Sequence, residues 1–99
     1  MRIIERNKEK LVALCQAHKV KHLFVFGSVI TPQFNKYSDI DFVVDFEDID
    51  LYNYADNYFD LKASLENLFK REVDLLEDKA IRNPFFRKSV DSSKLLIYG

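Results

Sequence analysis

Apolar residues return at helical intervals through residues 2–18, where Ile4, Leu11, Val12, Leu14 and Cys15 share one side and charged residues separate them. A β-branched and aromatic run, Val20-Lys21-His22-Leu23-Phe24-Val25-Phe26, follows and ends at Gly27, which predicts a strand. A short helical turn is expected over 28–33, stopping near Pro32, and a loop over Asn35, Lys36 and Tyr37. From Ile40 to Phe46 the pattern alternates: Ile40, Phe42, Val44 and Phe46 point one way, Asp41, Val43 and Asp45 the other. The longest periodic stretch is 51–70, with Leu51, Tyr54, Ala55, Tyr58, Leu61, Leu65, Leu68 and Phe69 as its stripe and Asp50 as N-cap. Glu72 to Glu77 reads as a third strand. Asn83-Pro84 opens a helix over 84–91, and Leu95 to Tyr98 is a last short strand. The order αβ(α)βαβα(β) is that of an α+β (α/β) domain, a small mixed sheet with helices packed on it. Only about a dozen residues join the first two strands. That is short for a right-handed crossover and favours an antiparallel pair.

With 99 residues, the chain is read as a single domain spanning 1–99. Apolar residues make up 47% of it, enough for a core without staples. One cysteine, Cys15, allows no internal disulfide and is expected to pack on its helix face. The N-terminal residues lack the apolar stretch of a secretory signal, and no run is long enough to span a bilayer, so a cytoplasmic location and no membrane partner are expected. A net charge of -1 argues against strong nucleic-acid binding. His18 and His22 have no partner spacing and read as surface residues. The chain is rich in aromatics, and Tyr52, Phe85 and Phe86 are candidates for an exposed patch that meets a partner.

Candidate chemistry lies in two short stretches. Asp39 and Asp41 sit two residues apart at the start of a strand, a spacing that sends both carboxylates to one face, between Ile40 and Phe42. No lysine or arginine stands between them, and a divalent cation resolves their repulsion; hard oxygen donors suit Mg²⁺ or Mn²⁺. Gly27, the only internal glycine, and Ser28 end the preceding strand and open a turn. Such a junction offers backbone N–H groups, the positive end of a short helix and a hydroxyl to a phosphate. Eleven residues separate Ser28 from Asp39, a gap a turn and a loop can close. Val73 and Leu75 face the core, so Asp74 faces the other way. If its strand lies beside that of Asp41, it adds a third carboxylate as metal ligand or proton acceptor.

Gly27-Ser28, then Ser38-Asp39-Ile40-Asp41, then Val73-Asp74-Leu75 resembles the minimal nucleotidyltransferases of the DNA polymerase beta-like superfamily over nearly the whole chain. The resemblance implies that fold and the transfer of a nucleoside monophosphate, usually AMP from ATP, to a hydroxyl. Carried over by position, Gly27 and Ser28 would bind the nucleoside triphosphate, and Asp39, Asp41 and Asp74 would be catalytic and hold Mg²⁺ or Mn²⁺. It also implies a HEPN-domain toxin as protein partner, neutralised by adenylylation of a tyrosine. The chain departs from the family after Ser28, where Val29-Ile30-Thr31-Pro32 replaces the usual arginines and glycine. Lys36, Lys79 and Arg82 are the candidates to supply the missing cation. The competing reading is an antitoxin-like binding module that occludes its partner with weak catalysis.

Overall fold

The computed structural model describes every residue, Met1–Gly99. Its elements are α1 (Arg2–Arg6), α2 (Lys8–Ala17), β1 (Val20–Phe26), a 3₁₀ turn (Gly27–Ile30), β2 (Ile40–Phe46), α3 (Leu51–Phe69), β3 (Val73–Glu77), a second 3₁₀ turn (Asp78–Ala80), α4 (Pro84–Ser93) and β4 (Leu95–Tyr98). The four strands form one mixed sheet in the order β3-β2-β1-β4. β1 runs antiparallel to β2 and to β4, while β2 and β3 are parallel. The antiparallel pair expected from the short connection is therefore present, while α3 carries the chain from β2 to β3 and α4 carries it across the sheet from β3 at one edge to β4 at the other.

The pleat sorts the residues. Ile40, Phe42, Val44 and Phe46 of β2 join Leu23 and Val25 of β1, Val73 and Leu75 of β3 and Ile97 of β4 in one buried cluster. Ile4, Leu11 and Cys15 from α1 and α2, and Leu61, Leu65 and Phe69 from α3, close that cluster. On the opposite face, Val43 and Val90 of α4 are the buried apolar residues outside it.

Local signals explain the ends. The Asp50 carboxylate accepts from the Asn53 amide at 3.0 Å and starts α3. Asn83 accepts from the amides of Phe85 and Phe86 at 2.9 and 3.1 Å, with Pro84 as the first residue of α4. Arg87 then fastens α4 to the second 3₁₀ turn through the Asp78 carboxylate at 3.0 Å.

Three expectations need correction. The helix over 2–18 is two helices, because the Asn7 side chain donates to the Ile3 carbonyl at 2.8 Å and competes with the helical ladder. The apolar stripe of α3 begins at Tyr54: Leu51 has the right angular position, but nothing packs on the first turn and it is 92% exposed. His22 does have a partner, since its Nδ1 lies 3.4 Å from the Asp45 carboxylate, a cross-strand neighbour in the register.

Candidate active site

Two strands bring the acidic residues together. In the parallel register of β2 and β3, Asp41 stands directly opposite Asp74, and in the antiparallel register of β1 and β2 it stands opposite Phe26. Asp41 thus shares a face with Asp74, one residue from the turn that begins at Gly27. The two carboxylates lie close enough for a proton on one to be shared with the other, and Asp39 acts on Asp41 through its charge. Burial first, then that bond, then the charges of Asp74 and Asp39 push the Asp41 carboxyl from 3.8 up to about 6.

Gly27 takes φ +74°, and a Cβ there would lie 2.4 Å from Asp41 Oδ2. Glycine is required twice over, by the backbone conformation and by the approach of the carboxylate. Ser28 faces the other end of the acidic loop: its hydroxyl donates to the Asp39 carbonyl at 3.5 Å, closing the eleven-residue gap. The turn itself is a single four-residue 3₁₀ turn. It is too short for a helix dipole to matter, so any anion held there is held by N–H groups and a hydroxyl.

The sheet register puts Asp41 and Asp74 side by side, and Asp39, just before the strand, is near enough to act on Asp41 through its charge. No three Asp, Glu, His or Cys side chains gather around a common ligation point. The reason is local: β2 begins at Ile40, so the pleat that fixes Asp41 does not reach Asp39. A contacting Asp–Asp pair still suits Mg²⁺ or Mn²⁺, which are bound through one or two carboxylates with water and phosphate completing the shell.

The family model of polymerase beta nucleotidyltransferases matches residues 9–99, the stretch that holds both strands, the turn and all three aspartates. The chain belongs to that family. This nucleotidyltransferase is 35% identical over 95 residues to the putative protein adenylyltransferase MJ1379 of Methanocaldococcus jannaschii, covering 96% of its own length and 90% of the relative's. A solved structure of a putative minimal nucleotidyltransferase superposes with TM-score 0.75 at 27% identity, covering 93% of this chain and 90% of that one. Two toxin–antitoxin complexes share the fold at 22% identity. One, with AMP-PNP, has TM-score 0.72 and coverage of 94% and 73%. The other, a tri-AMPylated Shewanella oneidensis HEPN toxin with its MNT antitoxin, has TM-score 0.66 and coverage of 96% and 71%.

The surroundings of the nucleotidyltransferase site were only partly legible. Asp39 and Asp74 are exposed, whereas Asp41 is half-buried against Gly27. Of the three cations considered as replacements, Lys79 lines a cavity with Val44, Asp45 and Phe46, at the end of β2 away from Asp41. Arg82 is exposed. Lys36 lines a cavity of about 370 Å³ beside Val29 and Thr31, together with Arg2, Arg6 and Arg71. Sequence reasoning passed over Arg71, whose partners are backbone carbonyls distant in the chain.

Proposed function

We propose that this nucleotidyltransferase moves AMP from ATP to the hydroxyl of a tyrosine on a HEPN-domain partner in the cytoplasm. The observation that carries the reading is the Asp41–Asp74 pair, set one residue from the Gly27-Ser28 turn, with Asp74 exposed. An exposed Asp74 can be reached by a hydroxyl carried on another folded protein. The relatives at 30–35% identity bear the name of protein adenylyltransferases, which fits this choice.

In this reading Gly27 and Ser28 hold the triphosphate through backbone N–H groups and the serine hydroxyl. Asp41 and Asp74 would hold Mg²⁺ or Mn²⁺, with the charge of Asp39 beside them adding to the attraction. A bound divalent cation supplies neutralisation of phosphate charge and a lower pKa for the attacking hydroxyl. The tyrosine oxygen forms a bond to the α-phosphorus, the bond from that phosphorus to the β-bridging oxygen breaks, and pyrophosphate leaves. Asp74, the exposed member of the pair, takes the phenolic proton. Tyr52 and Phe85, 93% and 84% exposed, are apolar surface for the partner to cover.

The test mixes the protein, Mg²⁺ and a HEPN partner with ATP labelled at either the α- or the γ-phosphate. Label should reach the partner from the α-position only, with pyrophosphate released. An unlabelled partner that is still inhibited without ATP, and by the protein carrying Asp39→Ala and Asp41→Ala, would replace catalysis with occlusion.

A further inference from the structure

We propose that Arg71 is a positioning residue that holds Asp39 in place beside the Asp41–Asp74 pair. The inference rests on the metal reading above. It starts from the gap that reading leaves: the sheet fixes Asp41 and Asp74, but Asp39 lies one residue before β2.

The structure puts a different device there. Arg71 Nη1 donates to the carbonyl of Ser38 at 2.8 Å and to that of Asn35 at 3.0 Å. On the far side of Asp39, the Ile40 amide donates to the Glu72 carbonyl at 3.2 Å. Asp39 is therefore bracketed on both sides by bonds to two consecutive residues, Arg71 and Glu72, at the foot of the strand that carries Asp74. The loop is also braced within itself. The Asn35 amide donates to Ser38 Oγ at 3.1 Å, and the Tyr37 amide to Asn35 Oδ1 at 2.8 Å. The Glu72 bond belongs to the backbone and any residue can make it. The Arg71 bonds belong to a side chain and can be removed.

No ion pair accounts for an arginine at this position. Its guanidinium lies 4.6 Å from the centre of the Phe34 ring, and its Nε is buried without a partner. A buried N–H left unsatisfied is a cost that an apolar side chain would avoid. What the guanidinium provides in return is a fixed plane, seated on Phe34, that reaches two loop carbonyls at once. Lysine keeps the charge and the stem but ends about one bond short and has no plane to stack.

The experiment measures melting temperature against Mg²⁺ concentration at saturating non-hydrolysable ATP analogue, for wild type, Arg71→Lys, Phe34→Leu and Asp41→Asn. Arg71→Lys should melt near wild type without ligand. The Mg²⁺ needed for half of the ligand-induced shift should rise about tenfold, the usual consequence of losing a group that orients a metal ligand. Turnover should fall at low Mg²⁺ and recover at high Mg²⁺, a change in apparent KM for the metal and not in kcat. Phe34→Leu, which leaves every charge in place, should move the Mg²⁺ midpoint the same way, and it decides the matter if Arg71→Lys fails to fold. Asp41→Asn should abolish the Mg²⁺ response. If it does while both other variants keep the wild-type midpoint, the role of Arg71 is overturned and the metal site stands. If Asp41→Asn leaves the response intact, the metal reading falls and the role of Arg71 falls with it.

Discussion

The two faces of the sheet are written by alternate residues of the same strands, and they differ in almost every physical respect. One face of β2, from Ile40 to Phe46, is covered by α1, α2 and α3 and contains no charge. The other face carries Asp41 and Asp45, has Asp74 beside it, and is roofed by α4 alone, whose Phe86 meets Phe26 edge-on at 6.3 Å. Stability is concentrated on the first face and chemistry on the second. A residue's neighbour in sequence therefore says little about its role, while its neighbour two residues away says a great deal.

Adjacent residues 41 and 42 give the sharpest way to break this division. Asp41→Asn should lower transfer by about 10³-fold, the equivalent of about 4 kcal/mol of lost transition-state charge stabilisation, and leave the protein folded. Phe42, fully buried, sits on the other face. Phe42→Ala should cost about 3–5 kcal/mol of folding stability through loss of packing and the cavity left behind. Denaturant titration and a steady-state transfer assay on both variants separate the effects. A destabilised Asp41→Asn or a fully stable Phe42→Ala would mean that the faces are not independent.

Gly27→Ala sits where the two functions touch and should show a smaller loss on each. The left-handed backbone at φ +74° costs a β-carbon about 1–2 kcal/mol, and the carboxylate 2.4 Å away must move. Melting should fall by several degrees, and nucleotide-dependent stabilisation should weaken in the same variant. A Gly27→Ala protein with wild-type melting and nucleotide response would remove the argument that close approach requires this glycine.

How far the sequence reached can be judged from the same faces. Alternation in 40–46 assigned both faces of β2 correctly, because period two is a direct consequence of extended geometry. The pairing of Asp41 with Asp74 followed once β3 was placed beside β2, and the caps at Asp50 and Asn83 followed from short side chains ahead of apolar runs. Reading failed where tertiary contact decides. Asn7 divides a helix by one side-chain bond, Leu51 lies on the right stripe with nothing opposite it, and His22 finds Asp45 across a strand pair. Arg71 was silent for the same reason: its partners are carbonyls 33 and 36 residues away, and carbonyls carry no signature in sequence.

The smallest expected effect sharpens the comparison through pH. Asp41 is pushed up to about 6 in the fold from an ordinary 3.8, by burial first and then by Asp74 and Asp39. For a carboxyl raised in this way, the favourable contribution is complete below about pH 4 and is lost as pH climbs through about 6. The full shift would correspond to about 3 kcal/mol. The group is half-exposed, so solvent screening reduces it to about 1 kcal/mol. Asparagine at this position has nothing to lose. In metal-free buffer the stability of Asp41→Asn relative to wild type should therefore rise by about 1 kcal/mol between pH 4 and pH 7, and Mg²⁺ with nucleotide should cancel that rise by stabilising only the wild type. A core substitution such as Phe42→Ala has no charge to couple to protons, and its penalty should stay constant over the same range. Urea titrations of the three proteins at half-unit pH steps measure both curves. A difference for Asp41→Asn that stays flat would mean that its carboxyl is not held up by its neighbours, and the pair with Asp74 would lose its electrostatic basis.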